Sequence, residues 1–243
     1  MPTERPPSEH ELLPPDVSPL VILQTRMAQA ARAAGRAPCE VALLAVSKGQ
    51  SVAAIRRLAT EGQMAFGENY VQEALPKIAA LEGLGLSWHF IGRLQTNKTR
   101  EVAQHFAWVH SLDRLRLAER LSAQRPDHLP PLECCVEINL DGAPSKGGVD
   151  IAAVGDLVAA ILSLPRLRLR GFMGMPPMTD DPLQQRAAFR RLRGHLAPFL
   201  PTLETLSMGT SGDYIAAIAE GATIVRIGTA LFGARARRGE RLG

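Results

Sequence analysis

The stretch Leu43-Leu44-Ala45-Val46-Ser47-Lys48 decides the fold: an apolar run ends in a single lysine, and Gly49 follows at once. An apolar run without polar alternation is typical of a parallel strand that is covered on both faces. Because α/β folds place their chemistry at the carboxyl ends of such strands, we predict that Lys48 is the last residue of the first strand. Desolvation there should lower the pKa of Lys48 and favour the neutral, nucleophilic amine. A surface lysine in a structural ion pair is the alternative that this stretch leaves open.

The same alternation of strand and helix recurs along the whole chain. Eight strands are predicted at residues 43–48, 64–66, 88–91, 107–110, 133–140, 167–173, 205–208 and 223–227, and a helical pattern follows each of them. The helix after the fourth strand is expected to begin at Leu112, and a further helix from Pro19 to Gly35 precedes the first strand. Eight such units with short connections predict a single closed (β/α)8 TIM barrel with an extra N-terminal helix, and they argue against an open doubly wound sheet.

Length and local composition predict the domain boundaries. The chain has 243 residues, and barrels of this kind take about 250. Residues 1–18 are rich in Pro and Glu and have no apolar segment, so we interpret them as a flexible leader and not as a signal peptide or membrane span. The barrel is expected to cover residues 19–235, and residues 236–243 form a basic tail.

Charge and cysteine content limit the partners. Lys and Arg exceed Asp and Glu by 28 to 24, and no aromatic-rich basic motif accompanies this small excess, so the composition argues against nucleic acid as a partner. Cys39, Cys134 and Cys135 match neither a metal spacing nor a disulfide framework. We therefore expect no metal site and no membrane contact, and a reducing cytoplasm is the simplest setting.

Two glycine loops follow the predicted seventh and eighth strands, where barrels frequently build a phosphate site. The first is Met208-Gly209-Thr210-Ser211-Gly212-Asp213, and the second is Arg226-Ile227-Gly228-Thr229. Each offers backbone N–H groups and a hydroxyl at a helix start, where the helix dipole favours an anion. Gly, Ser and Thr as plain helix caps are the alternative.

Arg226 ends the predicted eighth strand, beside the first strand and Lys48. A guanidinium there needs an acceptor, and we consider two: a ring nitrogen of a ligand, or a structural ion pair with Glu68 or Asp213. A lysine, a phosphate cradle and an arginine that faces a ring together describe a pyridoxal phosphate site.

Long motifs of the chain resemble the pyridoxal phosphate homeostasis protein family. The motifs are Ala45-Val46-Ser47-Lys48, Phe66-Gly67-Glu68-Asn69-Tyr70-Val71-Gln72-Glu73, Trp88-His89-Phe90-Ile91-Gly92, Leu94-Gln95-Thr96-Asn97-Lys98, Leu206-Ser207-Met208-Gly209 and Val225-Arg226-Ile227-Gly228-Thr229-Ala230-Leu231-Phe232-Gly233. The resemblance runs from Pro19 to Arg235. It implies a lone barrel of the alanine racemase N-terminal type that carries pyridoxal 5'-phosphate on the strand-one lysine and has no established reaction of its own.

The resemblance also implies a role for each site residue. Lys48 carries the cofactor as a Schiff base, Arg226 faces the pyridine nitrogen, and Asn69 lies near the cofactor. The phosphate is held by Ser211, Gly228 and Thr229. The chain departs from the family pattern at Arg93, Thr210 and Gly49-Gln50-Ser51, where the family usually has Pro, Met and Thr-Lys-Pro or similar; none of these changes touches Lys48 or Arg226.

The expected function is a carrier or buffer of pyridoxal phosphate for vitamin B6 homeostasis, with apo-enzymes as recipients and no catalytic residues. Only about ten residues follow Phe232, too few for a second β domain of the kind that racemases carry. An arginine at the ring nitrogen also weakens the electron sink. The alternative is a small amino-acid racemase or lyase whose base is His89, His110 or Tyr70, although each also suits a plain packing role. Lys146, which matches a lysine of the family, is a candidate second amine for cofactor release, or else a solvated loop residue.

Overall fold

Eight parallel strands pair in a closed ring in the computed structural model, which describes residues 17–140, 147–177 and 179–233. The ring order is β1-β2-β3-β4-β5-β7-β8-β9, and β9 returns to pair with β1. The strands are β1 Ala42–Val46, β2 Ala65–Glu68, β3 Ser87–Phe90, β4 Trp108–Leu112, β5 Leu132–Asn139, β7 Leu167–Gly174, β8 Thr205–Ser207 and β9 Ile224–Ile227. A two-residue strand, β6 (Val149–Asp150), pairs with β5 outside the ring. The predicted (β/α)8 barrel is confirmed.

Nine helices of the described residues surround the ring. They are α1 Pro19–Ala33, α2 Val52–Thr60, α3 Val71–Ala80, α4 Thr99–His105, α5 Leu115–Gln124, α6 Val154–Leu162, α7 Pro182–Leu196, α8 Tyr214–Ala219 and α9 Thr229–Phe232. The first of them is the predicted extra helix. Ser18 caps it by accepting a hydrogen bond from the Leu20 N–H (3.1 Å), and its buried stripe packs against α8 and α9.

The predicted leader and tail fall largely outside this description. Residues 1–16 of the leader and the whole basic tail, residues 236–243, lie outside the described residues. Within the described ranges, no helix combines the length and the apolar character needed to cross a membrane.

The first strand ends earlier than predicted. Its ladder stops at Val46, so Lys48 lies two residues beyond β1, in a turn. The Gln50 N–H donates to the Ser47 carbonyl (3.0 Å), and Gly49 has a φ of +76°, which glycine adopts without strain. The lysine therefore stays at the carboxyl end of the strand but belongs to the turn that enters α2.

A second correction concerns the predicted helix start at Leu112. Leu112 is fully buried and is the last residue of β4, where it pairs with Val136 of β5. The helix begins three residues later, at Leu115. An apolar residue at this position fits a strand end as well as a helix start, and the sequence pattern alone did not distinguish the two.

Candidate functional site

A cavity of about 320 Å³ opens at the carboxyl end of the ring. Its lining contains all six residues that the sequence predicts for a cofactor site: Lys48, Asn69, Ser211, Arg226, Gly228 and Thr229. They come from four places in the chain: the turn after β1, the loop after β2, the loop after β8, and β9 with the loop that follows it. Val46, Ile91 and Met175 add an apolar wall. The lysine, the arginine and both glycine loops therefore face one space.

The backbone on both sides of Lys48 is anchored. The Lys77 ammonium donates to the Ser47 carbonyl (2.8 Å), and the Gly49 N–H donates to the Glu73 carboxylate (2.5 Å). The Ser47 N–H also donates to the Gly67 carbonyl of β2 (2.9 Å). These bonds fix the turn that carries Lys48, a partly buried residue, against β2 and α3.

The anchor depends on a buried ion pair that the sequence analysis did not identify. Glu68 is fully buried, and its Oε1 accepts hydrogen bonds from Lys77 (2.8 Å) and from the Ser47 hydroxyl (2.6 Å). Burial raises the pKa of Glu68, while Lys77 and Ser47 act in the opposite direction. Glu73 also accepts a bond from Lys77 (2.6 Å), so one buried lysine joins two carboxylates beside the turn.

Arg226 reaches the cavity from the interior of the barrel. It lies opposite Leu44 in the ladder, deeper in the ring than the turn that holds Lys48, and only 5% of it is exposed. Its guanidinium donates to the Ser207 carbonyl (2.5 Å), the Ser207 hydroxyl (2.9 Å) and the Gly174 carbonyl (3.3 Å). Burial lowers the pKa of Arg226 to about 10, and the nearby carboxylates oppose this shift, so the group remains a cation at neutral pH.

The structural ion pair considered for Arg226 is wrong. Glu68 pairs with Lys77. The Asp213 carboxylate instead accepts bonds from the Thr210 N–H (2.6 Å) and the Thr210 hydroxyl (2.9 Å). The contacts of Arg226 with described residues therefore use three of its five N–H groups. The N–H group of Nε and one N–H group of Nη2 remain, and these two can donate to a ligand in the cavity.

The candidate bases of the racemase alternative do not line this cavity. His89 and His110 lie inside the ring, where their rings are hydrogen-bonded to each other (Nδ1 to Nε2, 2.9 Å). Burial lowers the pKa of His89 to about 3 and that of His110 well below its ordinary value, so both are neutral. Tyr70 is 64% exposed and borders a neighbouring groove. The plain interpretation of the two histidines as hydrogen-bonded core residues is correct.

The loop after β8 is shaped by Gly209. Its φ is +94°, and a Cβ there would lie 2.6 Å from the Ala217 Cβ, so only glycine lets the loop pass this close to α8. The Ser211 and Thr229 hydroxyls make no hydrogen bond with other described residues, which leaves them available to a ligand. The helices behind the two loops have only six and four residues. The hydroxyls and loop N–H groups therefore matter more here than the helix dipoles that the sequence suggested.

Asn69 is held in place by a close backbone approach. A Cβ on Gly92 would lie 2.1 Å from the Asn69 carbonyl oxygen, so the loop after β2 can cross the loop after β3 only because residue 92 is glycine. The Asn69 Oδ1 is buried and has no partner among the described residues. An unpaired buried acceptor at the cavity wall is typical of a group that waits for a ligand or an ordered water.

Some sequence predictions receive a different outcome. The departure Thr210 closes its own loop through Asp213, and the departure Arg93 is exposed in the groove that Tyr70 borders. Cys134 and Cys135 are fully buried, which confirms their interpretation as packed hydrophobes; burial raises the pKa of Cys135 to about 12. Lys146 lies outside the described residues. Within the ranges that the structure does describe, no cluster of His, Cys, Asp or Glu is arranged to hold a metal.

Comparison with known proteins agrees with this geometry. The family model described as alanine racemase, N-terminal domain, matches residues 22–236. The pyridoxal phosphate homeostasis protein of Pseudomonas aeruginosa is 55% identical over 210 residues, which cover 86% of this chain and 91% of that protein. Its counterpart from Escherichia coli K12 is 47% identical over 222 residues, 89% of this chain and 95% of that protein.

Solved structures show the same likeness. PipY of Synechococcus elongatus, solved with pyridoxal phosphate bound, is 37% identical with a TM-score of 0.74, and the match covers 85% of this chain and all of PipY. Alanine racemase of Corynebacterium glutamicum has a TM-score of 0.62 at 16% identity, covering 90% of this chain and 63% of the racemase. At that identity the likeness to the racemase concerns the fold alone.

Proposed function

This chain belongs to the pyridoxal phosphate homeostasis protein family, and we propose that it holds pyridoxal 5'-phosphate on Lys48 and acts as a carrier or buffer of the cofactor for vitamin B6 homeostasis. The observation that carries the proposal is the meeting of Lys48, Arg226 and two hydroxyl-bearing loops around one cavity. The bound cofactor would supply an aldehyde that condenses with a primary amine. Lys48 is the one lysine among the described residues that line the cavity. Hydrogen bonds to the backbone on both sides of Lys48 fix the position of its Cα at the cavity wall.

Arg226 supplies the contact for the pyridine ring of the cofactor. It keeps its proton at neutral pH, since its pKa is about 10, and so it can only donate to a pyridine nitrogen. A nitrogen that accepts a hydrogen bond from a guanidinium does not take a proton of its own, and most chemistry of this cofactor depends on that proton. This arrangement favours holding the cofactor over using it.

Polar groups at the cavity rim suit the phosphate. Ser211 and Thr229 offer hydroxyl donors that other described residues do not use, and Gly228 leaves room beside the Val46 carbonyl, which a Cβ would approach to 3.2 Å. These hydroxyl and backbone donors fit a dianion next to the contact that Arg226 makes with the cofactor ring. The Asn69 Oδ1, which lacks a partner in the described structure, can only accept a hydrogen bond, so it suits a donor group of the cofactor and not the phosphate.

The alternative, a small amino-acid racemase or lyase, has less support. It requires a base at the cavity, and His89, His110 and Tyr70 do not line it. The likeness to alanine racemase extends to the fold only. Release of keto acid or racemised product from a panel of amino acids, at rates far above those of free cofactor, would favour this alternative.

Two finer points belong to the same proposal. We propose apo-enzymes that need pyridoxal phosphate as the recipients, with Lys146 as a candidate second amine for the transfer. We also propose the cytoplasm as the compartment, supported by the three free thiols of the chain.

The test is to load the protein with pyridoxal phosphate, reduce it with borohydride and map the peptides. The cofactor mass should be retained on the peptide that contains Lys48. Lys48→Ala should lose both this adduct and the absorbance band at the edge of the visible range, while its circular dichroism stays unchanged. Lys98→Ala, a change in the neighbouring groove, is the matched control and should keep both. A Lys48→Ala protein that still holds a reducible adduct in this cavity would refute the assignment.

A further inference from the structure

A continuous chain of hydrogen bonds crosses the inside of the barrel and ends at Arg226. It starts at Ser87, the first residue of β3, whose hydroxyl lies 3.1 Å from Nε2 of His89. Nδ1 of His89 lies 2.9 Å from Nε2 of His110, and Nδ1 of His110 lies 2.8 Å from the Ser207 hydroxyl. That hydroxyl accepts a bond from Arg226 (2.9 Å). Five polar side chains from the four strands β3, β4, β8 and β9 thus form a line from the amino end of the ring to the cavity.

One placement of protons satisfies every member of this chain. The Ser207 oxygen already accepts from Arg226, so its own proton is best donated to Nδ1 of His110. His110 then carries its proton on Nε2 and donates to His89, and His89 carries its proton on Nε2 and donates to Ser87. In the reverse order the Ser207 proton would have no acceptor among the described residues, which costs free energy in a buried position.

The surroundings keep the chain neutral. Burial alone disfavours the charged form of His89, and for His110 the charge of Arg226 adds to the same effect. The Trp108 ring stacks on His89 with a centroid distance of 5.2 Å and an interplanar angle of 4°. Cys135 faces Arg226 as a protonated thiol, since burial raises its pKa to about 12. The hydrogen-bond acceptors of the guanidinium are therefore the neutral oxygens of Ser207 and Gly174, and the carboxylates of Asp213 and Glu137 act on it through their charge without a direct ion pair.

We propose that Ser207, His110 and His89 are positioning residues for Arg226, holding its guanidinium in the one orientation that turns its remaining N–H groups toward the cavity. Each hydrogen bond of the line polarises the next in the same direction, which makes the Ser207 oxygen a stronger acceptor for the guanidinium. A buried side chain with five donors has several ways to satisfy them, and the line selects one. That the ligand meeting these N–H groups is the cofactor ring rests on the proposed function; the positioning itself does not.

The first measurement uses the protein without cofactor and reads nitrogen NMR signals of the side chains. We expect both histidines as neutral Nε2–H tautomers that do not titrate between pH 5 and 8, and separate, slowly rotating Nη signals for Arg226. Ser207→Ala should let the guanidinium rotate and merge these signals, whereas Ser207→Thr, which keeps the hydroxyl, should restore them. His110 as the Nδ1–H tautomer, or slow Arg226 rotation that persists in Ser207→Ala, would overturn the proposal.

The second measurement follows cofactor binding. Ser207→Ala and His110→Phe should each weaken retention of pyridoxal phosphate by roughly fivefold to tenfold and shift the absorbance of the bound form, because the ring contact loses its orientation. Ser207→Thr should return both values to those of the parent. Ser111→Ala is the matched control, since Ser111 is the neighbour of His110 in β4 and its buried hydroxyl has no partner among the described residues.

The two measurements separate this inference from the proposed function. Hindered Arg226 rotation that depends on Ser207, in a protein that fails to bind pyridoxal phosphate, would support positioning and refute the proposed ligand. Binding that is unchanged in affinity and spectrum in Ser207→Ala would refute positioning and leave the proposed ligand intact. A loss of stability alone, with the parent spectrum retained, also refutes positioning, since it is what a merely structural hydrogen bond would produce.

Discussion

Nζ of Lys77 lies 2.8 Å from Oε1 of Glu68, and both side chains are buried. The same ammonium donates to the carbonyl of Ser47, which is the residue directly before Lys48. This pair therefore links the first helix after β2 to the turn that presents the site lysine. Removing one partner leaves the other charge buried, whereas removing both leaves only a packing change.

We expect Lys77→Met to lower the free energy of unfolding by about 3–5 kcal/mol, because it leaves the Glu68 carboxylate without its cation. The double variant Lys77→Met, Glu68→Gln should recover a large part of this loss. Urea unfolding followed by circular dichroism measures both. Lys98→Met, which removes a partly exposed pair with Glu101 (3.6 Å), is the control and should cost less than about 1 kcal/mol. Equal, small losses in both lysine variants would contradict the role given to the buried pair.

Arg226 can be compared with a second buried arginine. Arg125 is also 5% exposed and donates to the carbonyls of Ala103, Phe106 and Pro130, but it does not line the cavity. Both Arg226→Ala and Arg125→Ala should lower stability. Only Arg226→Ala should weaken retention of pyridoxal phosphate, by about 1–3 kcal/mol in equilibrium dialysis, and shift the spectrum of the bound form. Equal affinity in both variants would show that Arg226 is structural.

The sequence predicts the fold and also which residues line the cavity, for a physical reason. In a closed parallel barrel every strand delivers its last residues to the same rim, so finding the strands also places Lys48, Asn69 and Arg226 around one mouth. The apolar run at residues 43–46 and the glycines after each strand are strong local signals. Predicting that these residues share one cavity required only the order of the strands and helices, and not the exact residues at which they end.

Contacts between distant residues could not be predicted in the same way. Ser207 and His110 are 97 positions apart, and their bond depends on which strands face each other across the ring. A lysine in an amphipathic helix is expected on the exposed face, yet Lys77 of α3 is buried and pairs with Glu68. Alternation along β5 puts Glu137 on the same face as Cys135, a signal that could have flagged it as an interior carboxyl. The predicted helix start at Leu112 was wrong because the local sequence pattern determines the ends of strands and helices poorly.

The crossing of Asn69 over residue 92 leads to a prediction about backbone space. Gly92→Ala would place a methyl group 2.1 Å from the Asn69 carbonyl oxygen, so the loop after β2 must move and carry Asn69 away from the cavity. We expect at least a tenfold loss of pyridoxal phosphate affinity, together with a stability loss of about 1–3 kcal/mol. Gly155→Ala in α6 is the control: nothing lies within 4 Å of the added group, and alanine should stabilise the helix by up to about 1 kcal/mol. Unchanged affinity in Gly92→Ala would show that the position of Asn69 does not matter for binding.

Glu137 should make stability depend on pH. The carboxyl is 8% exposed and lies under Gly147, whose Cβ, if present, would be 3.2 Å from both of its oxygens. Burial, helped by the charge of Asp113 and opposed by Arg226 and Arg93, raises the pKa of Glu137 from 4.5 to about 7. The folded protein therefore holds a proton that the unfolded chain releases above pH 4.5. The stabilisation from this group is complete below that value and is lost as the pH rises through about 7.

Glu137→Gln removes this dependence, because a neutral amide never has to ionise in the buried position. We expect the free energy of unfolding of the variant, relative to the parent, to rise by about 3 kcal/mol between pH 4.5 and pH 8, since one pKa unit corresponds to about 1.4 kcal/mol. Glu68 and the two barrel histidines are present in both proteins, so their own titrations cancel in the difference. Urea unfolding at pH 4.5, 6 and 8 measures it, with Glu101→Gln on the surface of α4 as the control variant. A constant difference between Glu137→Gln and the parent across this range would mean that Glu137 ionises in the folded barrel as easily as in the unfolded chain.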